Sequence, residues 1–273
     1  MRVHVDFTTK TYGLSTDARV RWHTRRLWCY HGCMNMILFD AFPEGGFIPR
    51  SDTRASHILD VLRLKEGDGF RMGIINTSEG DSVLQEVTPE GIVVSYEPKT
   101  VPSLYPVTLL CAQVRPICMK RILREAVSLG VGRIILCGSD TGEKSYLSSN
   151  LYKTGEYKEY LLDGAMQSAH AGLPEVLFAD HANMAVRMVR ENCAPDADLV
   201  MLDNVVGAIA LSSASIGSSA VLAIGPERGW SDRERKLFVE SGFKPMLLGS
   251  RVLRTETACS AGVAVLLSRM GLL

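Results

Sequence analysis

The sequence predicts an α/β protein in two parts, a small all-strand module followed by a larger, mostly parallel sheet with helices on both faces. Three observations carry this. Residues 34–96 break into short strand-like runs separated by turn residues. Residues 97–106, Glu-Pro-Lys-Thr-Val-Pro-Ser-Leu-Tyr-Pro, hold three prolines and no periodic pattern, which marks a linker. Beyond them, apolar runs and amphipathic stretches alternate, as strands and crossover helices do.

In the first part, Ile37-Leu38-Phe39 opens a strand, and Phe70–Asn76, Ser82–Val87 and Ile92–Tyr96 continue the series. Turn chemistry stands between them at Pro43–Gly46, Glu66–Gly69, Glu79–Asp81 and Pro89–Gly91. Strands at this spacing suggest a small barrel. One helical stretch, Ala55–Leu62, interrupts them, with Ile58, Leu59, Val61 and Leu62 to one side.

In the second part, strands are expected at Val107–Ala112, Arg133–Cys137, Glu175–Phe178, Leu199–Leu202, Ala220–Ile224 and Met246–Leu248. Helices are expected near Met119–Leu129, Glu156–Ala171, Ala182–Glu191, Asp232–Glu240 and Glu256–Met270. The first of these ends at Gly130 and the fourth at Gly242, and Ser231 with Glu234 forms a capping-box pattern. The organisation is therefore 1–33, a basic extension or a misassigned start; 34–100, the small module; and 101–273, the large domain.

A hydrophobic fraction of 46% with 22% charged residues excludes disordered and fibrous classes. Lys plus Arg equals Asp plus Glu at 30 each, so overall charge does not announce a nucleic-acid partner. Its distribution is uneven: residues 1–33 carry a net +4 and residues 34–100 a net −5. Seven cysteines show no paired framework, which fits reduced thiols and a cytoplasmic location. Cys111, Cys137 and Cys259 fall in apolar runs and are expected to be buried. Cys29, His31 and Cys33 lack a second cluster, so no metal site is expected. No apolar run reaches the roughly 18 residues of a membrane span.

Two loops each follow a buried strand and precede a helix: Gly225-Pro226-Glu227-Arg228-Gly229-Trp230, and Gly249-Ser250-Arg251-Val252-Leu253-Arg254. Ligands of open α/β sheets bind beyond the carboxyl ends of strands, where both loops lie. Glycines there let backbone approach a ligand. Other motifs fail. Gly130-Val131-Gly132 does not continue into a dinucleotide fingerprint, Gly138–Ser145 is one residue short of a phosphate loop, and no Gly-x-Ser-x-Gly elbow occurs.

Ile224–Gly229 together with Leu248–Ala258 resembles the signature of the ribosomal RNA small-subunit methyltransferase E family of the SPOUT superfamily, and His57–Asp68 resembles the same family's amino-terminal segment. The resemblance covers about residues 34–273. It implies a PUA-like β-barrel before a SPOUT-type trefoil-knotted parallel-sheet domain. It also implies a homodimer, S-adenosyl-L-methionine as cofactor, and methylation of N3 of a uridine in small-subunit (16S) ribosomal RNA. Arg228 stands where the family has a second glycine; Met166 to His170 and Glu125 with Ser128 also depart from the family pattern. A different ribosomal or transfer RNA target, or an RNA-binding relative without turnover, therefore stays open.

By the same resemblance, the cofactor would be held near Met201, Leu202, Ile224, Gly225, Pro226, Arg228, Gly229, Leu248, Gly249, Arg251, Val252 and Leu253. Uridine N3 carries a proton at neutral pH, and a nearby guanidinium favours the deprotonated base. Arg254 is the first candidate for that role and Arg251 the second; an ion pair with Glu227 or Glu256 is the structural alternative. For RNA phosphates, Arg50, Arg54, Arg63, Lys65 and Arg71 crowd one segment, and Lys120, Arg121 and Arg124 share a helix. A solvated face is the alternative in both places.

Overall fold

The computed structural model describes residues 36–204 and 208–273. The basic extension and the Cys29–His31–Cys33 group lie outside the described residues. Among the described residues the strands form two sheets.

The small sheet contains β1 (Ile37–Phe39), β2 (Phe47–Pro49), β3 (Gly69–Ile74), β4 (Ser78–Val87) and β5 (Gly91–Thr100), in the order β1-β3-β4-β5-β2. β1 runs parallel to β3 and the other pairs are antiparallel. Between β2 and β3 lies a short helix, α1 (Thr53–Ser56), continued by a π-helical turn over His57–Val61. Asp52 caps it by accepting from the Arg54 backbone N–H at 2.8 Å. Ile58 and Ala55 pack into a core with Ile48, Phe70, Met72, Leu84 and Ile92.

The expected linker 97–106 is shorter in the structure. β5 continues through Glu97, Pro98 and Lys99 to Thr100, and only Val101–Leu104 separate it from the next strand. Pro98 is tolerated because it pairs opposite Gly80 beside a shift of register. A Cβ on Gly80 would sit 1.9 Å from the Glu97 carbonyl oxygen, so the strands can close only on a bare glycine.

The large sheet is parallel throughout. Its strands are β6 (Tyr105–Ala112), β7 (Val131–Cys137), β8 (Glu175–Ala179), β9 (Asp198–Leu202), β10 (Ile209–Ala210), β11 (Ala220–Ile224) and β12 (Lys244–Leu247), ordered β10-β12-β9-β11-β6-β7-β8. The helices are α2 (Pro116–Ser128), α3 (Asn150–Lys153), α4 (Tyr157–Gln167), α5 (Ala182–Asn192), α6 (Asp232–Glu240) and α7 (Thr255–Arg269). The expected helix 156–171 stops at Gln167, where Ala169 takes a positive φ of 53°. Proline enters α2 at its first position, where the missing N–H costs nothing.

β11 shows how an all-apolar run serves a doubly covered sheet. Val221 and Ala223 join one core with Trp230, Phe238 and helix α5, while Ala220, Leu222 and Ile224 join the other with α2, α4 and α7. Cys111, Cys137 and Cys259 are buried, as their apolar surroundings predict.

β1 belongs to the small sheet but faces both cores. Ile37 and Phe39 point into the small core, while Met36 and Leu38 belong to the large one. The Met36 N–H donates to the Met166 carbonyl at 3.1 Å. Buried Glu79 of β4 accepts from the Ala171 N–H at 2.6 Å, fastening the small sheet to the segment after α4.

Candidate functional site

β9, β11 and β12 end side by side, and the chain beyond each contributes to one cleft of about 550 Å³. That volume suits a small organic ligand. After β11, Pro226 and Gly229 close a turn through a 2.8 Å backbone hydrogen bond, with Gly229 at a φ of 71° that a side chain would strain. The chain then enters α6 through the predicted capping box: Ser231 Oγ accepts from the Glu234 N–H and Glu234 accepts from the Ser231 N–H. Thr255, at the start of α7, donates to the Gly225 carbonyl oxygen at 3.4 Å and ties the two loops together.

Leu202, Ile224, Pro226, Trp230, Met246, Leu248, Val252 and Leu253 give the cleft apolar walls. Gly225 keeps its floor open, since a Cβ there would lie 3.1 Å from the Trp230 backbone nitrogen. The Trp230 indole N–H is buried without a partner among the described residues. At the rim stand Arg115, Arg251 and Arg254. Arg251 and Arg254 are exposed and, among the described residues, neither guanidinium makes an ion pair or hydrogen bond, so the pairing with Glu227 or Glu256 is not formed. Glu227 instead accepts from the Arg115 backbone N–H at 3.4 Å. Burial pushes the Cys118 thiol above its usual range, with the Glu256 and Glu227 carboxylates adding to the shift.

Ten of the residues singled out from sequence therefore meet in this cleft: Leu202, Ile224, Gly225, Pro226, Gly229, Leu248, Arg251, Val252, Leu253 and Arg254. Three do not line it. Met201 lies one residue before Leu202 on β9, so strand alternation turns its side chain into the opposite core. Arg228 is exposed outside the cleft, and Gly249 sits outside the lining with a φ of 156°. Sequence reasoning missed Arg115, Cys118, Asp203, Asn204, Trp230 and Met246. Asp203 and Asn204 directly follow β9, so the rule that ligands gather beyond strand ends could have found them.

The basic residues of the small sheet are not gathered into one free patch. Arg54 is bound to Asp52 at 2.6 Å and stacked on Phe39, Arg50 lies 3.5 Å from Asp60, and Arg71 lies between Glu79 and Asp81. Arg63 and Lys65 are exposed and make no ion pair among the described residues. On α2, Lys120 pairs with Glu156 and Arg124 with Asp163, leaving Arg121 exposed.

An RNA methyltransferase domain matches residues 101–267. The chain is 34% identical to the ribosomal RNA small subunit methyltransferase E of Treponema pallidum, over 86% of this chain and 91% of that protein. The chain belongs to the ribosomal RNA small-subunit methyltransferase E family. A second methyltransferase E, from Borreliella burgdorferi, is 29% identical over 87% of this chain and 99% of its own. A methyltransferase E structure from Neisseria gonorrhoeae, bound to S-adenosyl methionine, shares the fold with a TM-score of 0.71 at 22% identity, over 87% of this chain and 98% of that one. The two loops that carry the resemblance in sequence are those that build the cleft, and Arg228 falls outside it.

Proposed function

We propose that this enzyme transfers a methyl group from S-adenosyl-L-methionine to N3 of a uridine in 16S ribosomal RNA. The observation that carries the proposal is the cleft beyond β9, β11 and β12, with two unpaired arginines at its rim, in a methyltransferase E chain. The residues present suit the cofactor. Apolar walls from Leu202, Ile224 and Leu248 fit an adenine ring, the bare Gly225 admits close approach of backbone, and the partnerless Trp230 N–H offers a donor.

When bound, the cofactor supplies an activated methyl group on a sulfonium. The chain's own contribution is placement and charge. The loops 225–231 and 248–254 hold reactants in a restricted geometry and exclude water. Arg254 first and Arg251 second place positive charge where the base must lose its N3 proton; among the described residues no carboxylate pairs with either guanidinium. Met201, Arg228 and Gly249 are assigned backbone or flanking contacts to the cofactor on family grounds, and Arg50, Arg54, Arg63, Lys65 and Arg71 contacts to RNA phosphates. Arg63 and Lys65 are the members of that set free of ion pairs, which supports them most.

The same membership supports a knotted crossing in the large domain, 101–273, and closure of the small sheet, 34–100, into a PUA-like RNA-holding barrel. α7, which follows β12 and packs on α2, β6 and β11, is the element that such a crossing would thread. A homodimer is proposed on the same membership alone. A cytoplasmic location follows from the ribosomal substrate; among the described residues no helix is long and apolar enough to cross a membrane.

The test is transfer of labelled methyl to small ribosomal subunits from cells lacking this gene, with the modified nucleotide mapped. Label at N3 of one small-subunit uridine is the expected result. Label in another ribosomal or transfer RNA would reassign the target. Cofactor binding without transfer to any RNA would favour a non-catalytic relative.

A further inference from the structure

A second cleft, of about 280 Å³, opens on the same edge of the large sheet, beyond β6, β7 and β8. At its base lies Gln113, only 2% exposed. The Tyr152 hydroxyl donates to Gln113 Oε1 at 2.6 Å, while Nε2 is buried with no partner among the described residues. Turning the amide over would satisfy Nε2 and orphan the oxygen, so one end of this side chain is unmatched either way. Ser139 Oγ is likewise buried and partnerless beside it. Two unmatched polar groups in one cavity each carry a desolvation penalty that a bound polar ligand would relieve. Gly142 keeps the space clear, because a Cβ there would lie 2.7 Å from Ser139 Oγ.

The rim has a different character. Asp180 and Lys144 are exposed and unpaired among the described residues. His181 Nδ1 accepts from the Met184 N–H at 3.2 Å, which leaves the ring proton of the neutral form on Nε2. Asp140 is already engaged by Arg233 and Ser231. A neutral amide and hydroxyl at depth match the edge of a nucleobase, the free carboxylate matches ribose hydroxyls, and the lysine matches a phosphate. A simple anion would meet the carboxylates of Asp180 and Glu143 with Lys144 alone to offset them.

The two clefts are neighbours, tied together by chain continuity and hydrogen bonds. Gln113 lines the second and Arg115, two residues on, lines the first. Thr141 donates to the Gly229 carbonyl at 2.5 Å, and the Asp140 N–H donates to Glu234 at 2.9 Å. We infer that the second cleft is a subsite for one unstacked RNA nucleotide next to the methylated one, with Gln113 and Ser139 reading its base. This rests on the methyltransferase function proposed above, which reserves the first cleft for cofactor and target base.

The test has two arms. In the first, the cofactor-saturated protein is titrated with uridine 5′-monophosphate and followed by backbone amide resonances. Shifts at residues 138–144 and 180–181 are expected in the parent protein and should weaken in Gln113→Leu and Ser139→Ala. In the second, the KM for small-subunit RNA should rise about tenfold in Gln113→Leu, the worth of one good hydrogen bond, with cofactor Kd changed less than about twofold. Ser139→Ala removes a group with no partner in the chain, so it keeps the test sound if Gln113→Leu folds poorly. Absence of shifts at millimolar nucleotide, shifts that map to the first cleft, or an unchanged KM in both variants would overturn the subsite. Nucleotide shifts at 138–144 in a protein that methylates no RNA would uphold the subsite and sink the proposed function instead.

Discussion

Glu234 is fully buried, yet the two loops that frame the clefts both hang from its carboxylate. One oxygen accepts from the Asp140 N–H and the other from the Ser231 N–H, both at 2.9 Å. Glu234→Ala removes both acceptors at once. Hydrogen bonds to a charged group contribute about 1.5–3 kcal/mol each, so the two together contribute about 3–6 kcal/mol. Water entering the vacated space recovers part of this, and a net loss of about 3 kcal/mol is the expected outcome. For a chain of this size that lowers the thermal midpoint by about 6–12 °C. Calorimetry measures it directly. Glu240→Ala, on the exposed end of the same helix, is the control and should change stability by less than about 0.5 kcal/mol. Because Glu234 joins the loops, cofactor Kd should also rise in Glu234→Ala. A midpoint within about 1 °C of the parent, with unchanged cofactor affinity, would refute the keystone role.

Three further outcomes follow from the first cleft. Arg254→Ala should leave stability within about 0.5 kcal/mol, since the guanidinium has no partner in the chain, while single-turnover methyl transfer falls on the order of a hundredfold; full transfer with normal cofactor binding would remove Arg254 from the chemistry. Gly225→Ala should weaken cofactor binding about tenfold or more and cost about 1–3 kcal/mol of stability, read by calorimetric titration and melting, because its methyl meets Trp230 backbone rather than a yielding side chain. Cys118, held above its ordinary value of 9.0, is protonated at neutral pH; its alkylation, followed by peptide mass, should be slow there, should still climb with pH beyond that value where an ordinary thiol levels off, and should slow when cofactor is present. Rapid alkylation at pH 7 would contradict the raised thiol.

Much of the fold and the first cleft could be read from local pattern. The capping box at Ser231 and Glu234, the all-apolar run of β11 and the two glycine-bearing loops are signals carried by neighbouring residues. What escaped was assembled over distance. Glu234 shows in sequence only as a cap residue; its second partner, Asp140, is 94 positions away. Gln113 and Ser139 follow different strands and match no motif, so only the folded sheet brings them together. Prolines misplaced the linker because Pro98 is absorbed opposite Gly80. The basic cluster of the small sheet looked free because sequence spacing does not disclose that Asp52, Asp60, Glu79 and Asp81 are its partners.

β1, with side chains in both cores, sets a timetable for synthesis. Met36 emerges from the ribosome early, but its N–H partner is the carbonyl of Met166, 130 residues later. At a translation rate of about 5–20 residues per second, the strand waits on the order of ten seconds before its second face has anywhere to dock. During that interval Met36 and Leu38 remain apolar surface on a nascent chain, within reach of chaperones. The small sheet, though encoded first, cannot bury both sides of β1 until α4 has been made.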